Sequence, residues 1–204
     1  MVSVNTKVQR TADLTANVSR RRSRATTWPA YVAAGWTLLF IAFHIYWYLG
    51  GHLGIGDAPD VIPGTPSSVI GWILNIVVLG MFAAGVVVPV ALVRRWGRIV
   101  PRWLLLGLTW LGAAVLSLRG ASGIVDDLLR VTHVLPNGLT GLTYQQAIGQ
   151  AHPSAYTLWS LASIDVYFLL GGILFGIAAW MLRSMHEVED ARTVTNKIRI
   201  TRRS

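Results

Sequence analysis

The sequence predicts an all-α fold: a polytopic membrane protein whose four transmembrane helices form a bundle under an outer loop that serves as a lid. Three observations predict it. Of the 204 residues, 53% are hydrophobic and 13% charged, with a mean hydropathy of +0.50, a balance that soluble domains seldom reach. Four runs are long and apolar enough to cross about 30 Å of hydrocarbon at about 1.5 Å per residue. None of them shows the polar stripe of a soluble amphipathic helix.

The first run, 28–49, contains His44 as its one titratable group outside the tyrosines, and the second, 69–93, carries no charge. The third opens at Trp103 and is free of charge only to Leu118. That is about 24 Å of helix, so the run must continue through Arg119 to about residue 125 to reach the far side. The fourth, 156–182, is interrupted only by Asp165. The flanks, 1–27 and 183–204, are basic tails without apolar periodicity. Both are expected to be solvated and disordered, apart from a helical start over 181–191 that continues the fourth run.

A net charge of +9, from 18 Lys and Arg against 9 Asp and Glu, would suit a nucleic-acid binder. The positions argue otherwise. Sixteen of the 18 basic residues lie in the two tails or between 94 and 102, leaving Arg119 and Arg130 for the opposite side. Cytoplasmic flanks retain positive charge during insertion, so both termini are expected in the cytoplasm and no nucleic-acid partner is expected. The cluster Arg20, Arg21, Arg22 and Arg24 then reads as a topology signal resting on anionic headgroups. The first run is too long for a signal-peptide core and lacks a small-residue exit, so it is expected to remain in the mature protein. Cysteine is absent, which excludes disulfides, thiolate metal sites and thiol redox chemistry.

Each span contributes one polar group to the outer half. His44 lies about 9 Å and Asn75 about 10 Å below the outer surface, Arg119 about 25 Å from the inner one, and Asp165 about 13 Å deep. An Asp near the midplane costs about 2.5–3.5 kcal/mol and needs a partner. Arg119 is the basic side chain that can approach it from within the membrane, so an Arg119–Asp165 ion pair is predicted. Around it the candidate ligand-binding set is His44, Trp47, Asn75, Arg119, Asp126, Asp165 and Tyr167. His44, Trp47 and Tyr48 share a helical face. The competing reading is that the ion pair only fixes helix register and the aromatics form an interfacial belt.

The first outer loop, 50–67, is rich in glycine and brings His52, Asp57 and Asp60. The second, from about 120 to 154, opens with amphipathic turns over 122–131, with Ile124, Leu128 and Val131 on one face and Asp126, Asp127 and Arg130 near the other. Thr143-Tyr-Gln-Gln146 has the form of a capping box that starts a short helix. The small pairs Gly80/Ala84 and Gly172/Gly176 are expected to let helices approach closely.

No cofactor or metal is predicted. Haem between histidines would need a second ligand, and only His44 of the five histidines lies within a span. His44, His52, Asp57 and Asp60 match no metal-ligand spacing. No nucleophile elbow accompanies the Ser, His and Asp residues, so the sequence leans away from an enzyme.

A His-x-x-Trp at the end of the first span followed by Gly50-Gly51, Leu-Arg-Gly at 118–120 with Asp126 beyond it, and Asp165-Val-Tyr167 with later glycines resemble a family of small four-span bacterial membrane proteins of unknown function. The resemblance spans about 30–182. It implies a four-span fold in a bacterial cytoplasmic membrane and implies no reaction. Two functions remain open: a bundle that takes a lipid-like or quinone-like ligand from the outer leaflet, or a non-enzymatic accessory subunit packed against a larger membrane protein or a second copy. Haem binding and proton-linked transport through His44 and Asp165 are weaker readings, the latter needing a second half to complete a path. Membrane lipids are the expected partners in every case.

Overall fold

The computed structural model describes residues 27–57 and 68–201, with side chains as far as Ser184 apart from Arg98. The N-terminal tail to residue 26 and Asp60 lie outside the described residues. Within them the chain is helical with no strand, and four helices are long and apolar enough to cross a membrane.

Helix α1, Thr27–Tyr48, starts with Pro29 in its first turn, where a missing N–H costs nothing. It stops at Gly50, whose φ of +91° is left-handed. The Gly51 N–H donates to the Tyr46 carbonyl (3.0 Å) and the Gly50 N–H to that of Trp47 (2.9 Å), the paired bonds of a Schellman cap. Helix α2, Val69–Val93, is capped by Ser68, whose hydroxyl accepts from the Gly71 N–H at 3.1 Å. A 3-10 turn, Arg95–Ile99, leads to Val100, which is extended as the residue before a proline must be. Helix α3, Arg102–Val131, follows Pro101 and runs 30 residues, about 45 Å. The short α4, Tyr144–Ile148, carries the expected capping box between Thr143 and Gln146 and ends at left-handed Gly149. Helix α5, Ala155–Thr201, is 47 residues long. Its first turn is capped by Ser154, which accepts from the Thr157 N–H at 3.2 Å.

Two expectations change here. The chain does not break near residue 125: α3 continues two turns further as one helix. Likewise the helical start expected over 181–191 is present, and it runs on to residue 201 as part of α5 where a disordered tail was expected beyond it. Span four supplies the nucleus, so each added residue costs only propagation. The sequence beyond Leu182 offers Met, Glu, Ala and Arg with no Gly or Pro to stop it.

Neighbouring spans run antiparallel. Ala30 from the start of α1, Ala91 and Leu92 from the end of α2, Leu105 from the start of α3 and Leu182 late in α5 form one buried cluster, so these ends meet at one end of the bundle. A second cluster of Ala33, Ala113 and Phe175 lies next to it. A close seam joins α3 to α5. A Cβ on Gly172 would overlap Ser117, and one on Gly120 would overlap the α5 backbone at Asp165 and Leu169, so glycine is what lets these two backbones touch. On α2 the residue that permits approach is Gly85, against Thr37 of α1, whereas Gly80 of the expected Gly80/Ala84 pair faces open space. Most of the long apolar side chains point outward, as suits helices whose surroundings are hydrocarbon.

Candidate functional site

Asp165 sits on α5 with 6% of its surface exposed. Room for it comes from α3, where a Cβ on Gly123 would overlap its carboxylate. One turn before Gly123, Arg119 donates from Nη1 to Asp165 Oδ1, the ion pair expected from the sequence. The two side chains differ in exposure: 53% for Arg119 against 8% for Asp165. The carboxylate anchors the guanidinium from inside while the other side of the cation opens outward, beside the Phe168 ring at 5.4 Å.

Further along the same face of α3, Arg130 is almost wholly buried, at 5%. Its Nε donates to Asp126 Oδ2 at 2.7 Å, and its guanidinium lies 4.8 Å from the centre of the Tyr144 ring. Asp126 also accepts from the Leu139 N–H. Gly138, buried and left-handed at φ +64°, lies so close to this pair that a Cβ would overlap Asp126. The loop between α3 and α4 is thus clasped to α3 by one i,i+4 pair. Burial pushes the Tyr144 phenol above its ordinary range, partly offset by the nearby Arg130 charge. Three buried side-chain atoms have no hydrogen-bond partner among the described residues: Arg130 Nη1 and Asp127 Oδ2 here, and Trp36 Nε1 on α1. Such unmet capacity is uncommon in a folded interior.

The turns over 122–131 are amphipathic in an inverted sense. Leu128 and Val131 are 60% and 70% exposed while Arg130 is buried, the arrangement that suits a helix end still surrounded by lipid. Sequence reasoning placed Asp126 in the site but passed over Arg130, Asp127, Gly120 and Gly123. The signal was present as the spacing 120, 123, 127, 130, a single helical stripe whose glycines face α5.

The remaining expected residues form a separate seam. His44 contacts its own helix through Nδ1 and the Phe40 carbonyl at 3.0 Å; a carbonyl only accepts, so Nδ1 carries the proton. Its ring packs on Phe40, Trp47 and Phe82, at 4.2, 5.1 and 5.1 Å. Trp47 donates from Nε1 to the Leu53 carbonyl at 2.9 Å, pinning the loop that follows α1. That loop is also held by the Tyr156 hydroxyl, which accepts from Gly54 at 3.0 Å, and by Ser154, which donates to Asp57. Tyr167 donates to the Trp36 carbonyl at 2.6 Å and stacks on that indole, fastening α5 to α1. Asn75 is half-buried on α2. The structure therefore brings Arg119 to Asp165 and Asp126 to Arg130. It separates His44 from Arg119 by the Phe40 and Phe168 rings.

Fold and site define a class: a multi-pass helical membrane protein organised around an ion pair between two of its spans. Within that class, the chain belongs to the family described as Protein of unknown function (DUF3995), which matches residues 37–139, half of the chain. The match includes His44, Trp47, Asn75, Arg119 and Asp126 and ends before Asp165 and Tyr167, so it is shorter than the 30–182 over which the resemblance was expected. No curated protein and no solved structure matches the chain.

Proposed function

We propose that this protein resides in a bacterial cytoplasmic membrane with both termini in the cytoplasm, and that it binds the anionic or quinone-like head of an amphipathic molecule from the outer leaflet. The orientation rests on the distribution of Lys and Arg. The binding reading rests on one observation: Arg119 is held from inside by a buried carboxylate while half of its side chain stays open. A cation fixed in this way at the level of the outer leaflet attracts an anionic or strongly polar head whose apolar tail remains in lipid. Purified protein, wild type and Arg119→Ala, extracted and analysed for bound lipid and quinone, tests it. A molecule retained by the wild type and lost from the variant supports the reading; the same content in both, or none in either, refutes it.

The second reading, an accessory subunit or a homo-oligomer, is favoured by the middle of α2, where Gly80 opens to free space and Ala84 is exposed. A Gly80→Cys variant, crosslinked in membranes, forms a discrete adduct if that face has a partner. Monomer throughout removes this reading.

A further inference from the structure

Between Arg130 and Asp165 no residue is Lys, Arg, Asp or Glu. The connection from α3 to α5, residues 132–154, lies inside that stretch, and a loop of its length in water would carry about six charges. Instead Val134, Leu135, Leu139 and Leu142 are 67%, 45%, 53% and 43% exposed, following on from the exposed Leu128 and Val131 at the end of α3. The backbone of the three leucines is satisfied from within. The Leu135 N–H donates to the Leu129 carbonyl at 3.2 Å, that of Leu139 to Asp126, and that of Leu142 to the Thr140 hydroxyl at 3.4 Å. Chain that meets hydrocarbon has to satisfy its donors in this way.

The height of this segment follows from the seam between α3 and α5. Gly123 lies against Asp165 and Gly172 against Ser117, which sets the two helices antiparallel with Asp126 and Arg130 level with about residues 158–162. That turn of α5 holds Trp159, 74% exposed; Trp180, 65% exposed, lies 21 residues further on, about 31 Å along the helix. Two exposed tryptophans separated by the thickness of a hydrocarbon core mark its two faces. Gly138 and Leu139 are folded back onto Arg130 and Asp126, so the uncharged loop returns to the level of one face instead of rising from it. We propose that residues 134–142 lie in the interfacial layer of that leaflet, with Val134, Leu135, Leu139 and Leu142 in contact with its acyl chains. Arg130, buried against Asp126, presents no charge to oppose this. Anchored so, the loop is a fixture of the membrane surface and not a lid that swings over it. The proposal rests on the spans crossing a bilayer and is independent of the Arg119 reading, which lipid extraction can refute without moving this loop.

Single cysteines spin-labelled at Leu135, Leu139, Leu142, Thr140 and Leu170 of the full chain, one copy per phosphatidylcholine nanodisc, test the proposal. Power-saturation EPR compares collisions with oxygen, which concentrates in hydrocarbon, against those with a water-soluble nickel chelate. The chain has no cysteine of its own, so each label is unique. Leu170, half exposed and midway between Trp159 and Trp180, fixes the bilayer centre. Labels at Leu135, Leu139 and Leu142 are expected to favour oxygen at a depth of about 5–10 Å, that of an interfacial apolar face, while Thr140 stays open to nickel. The pattern is expected to be unchanged when half of the lipid is phosphatidylglycerol, since the segment has no charge to respond. Three independent sites keep the test decisive if one variant does not fold. Nickel access at the leucines equal to that at Thr140 puts the loop in water and overturns the proposal. Shielding of all three from both reagents means that protein covers them and overturns it as well, as does insertion that appears only with phosphatidylglycerol.

Discussion

At the scale of single residues, stability is concentrated where side chains are missing. Gly123→Ala pushes a methyl into the Asp165 carboxylate and is expected to destabilise by about 1–3 kcal/mol, as overpacking does. Gly80→Ala meets nothing and is expected to be neutral or to stabilise by about 0.5–1 kcal/mol through helix propensity. Denaturant unfolding of both variants in detergent checks the contrast. For the ion pair, a double-mutant cycle with Arg119→Gln and Asp165→Asn should show a coupling of about 0.5–3 kcal/mol; additive effects would mean that the contact contributes nothing. Asp165 and Arg119 were legible in the sequence because charge inside an apolar run demands a partner. Gly120 and Gly123 were not, since glycine is also ordinary in membrane helices, and only its spacing relative to Asp165 across a second helix reveals its role.

Elements were legible in their cores and less so at their ends. Hydropathy marks where a helix must lie in lipid, but nothing in it says that the helix stops there. The last turns of α3 carry three charges, which reads as an exit from the membrane, yet Asp126 and Arg130 pair and fasten a loop. Asp126→Ala removes the acceptor for Leu139 and leaves buried Arg130 without its ionic partner. Hydrogen exchange at residues 138–139 is expected to accelerate at least about tenfold, equivalent to about 1.4 kcal/mol of lost protection, while α1 and α2 stay unchanged. Thr143→Ala removes the capping hydroxyl of α4; it is expected to cost about 1 kcal/mol, read as faster exchange over 144–148 alone. The capping box was legible because it is a local pattern. The clasp was not, because it joins residues 13 apart through a backbone N–H that every sequence possesses.

For the whole molecule, the bundle follows from apolar runs and small residues, and its seams from aromatic rings that link α1 to α2 and α5. What distinguishes its two ends is charge. The elbow between α2 and α3 carries arginines, while the other end holds Asp57, Asp126, Asp127 and Asp165 with Arg119 and Arg130. A chain without cysteine allows that asymmetry to be read directly. Single cysteines at Ser23, Thr140 and Ser204, labelled in intact cells with a membrane-impermeant maleimide and again after lysis, test the orientation on which the proposed outer-leaflet binding depends. The account predicts that Thr140→Cys is labelled in intact cells and that Ser23→Cys and Ser204→Cys are labelled only after lysis. Labelling of either terminus from outside, or protection of residue 140 until lysis, would contradict it.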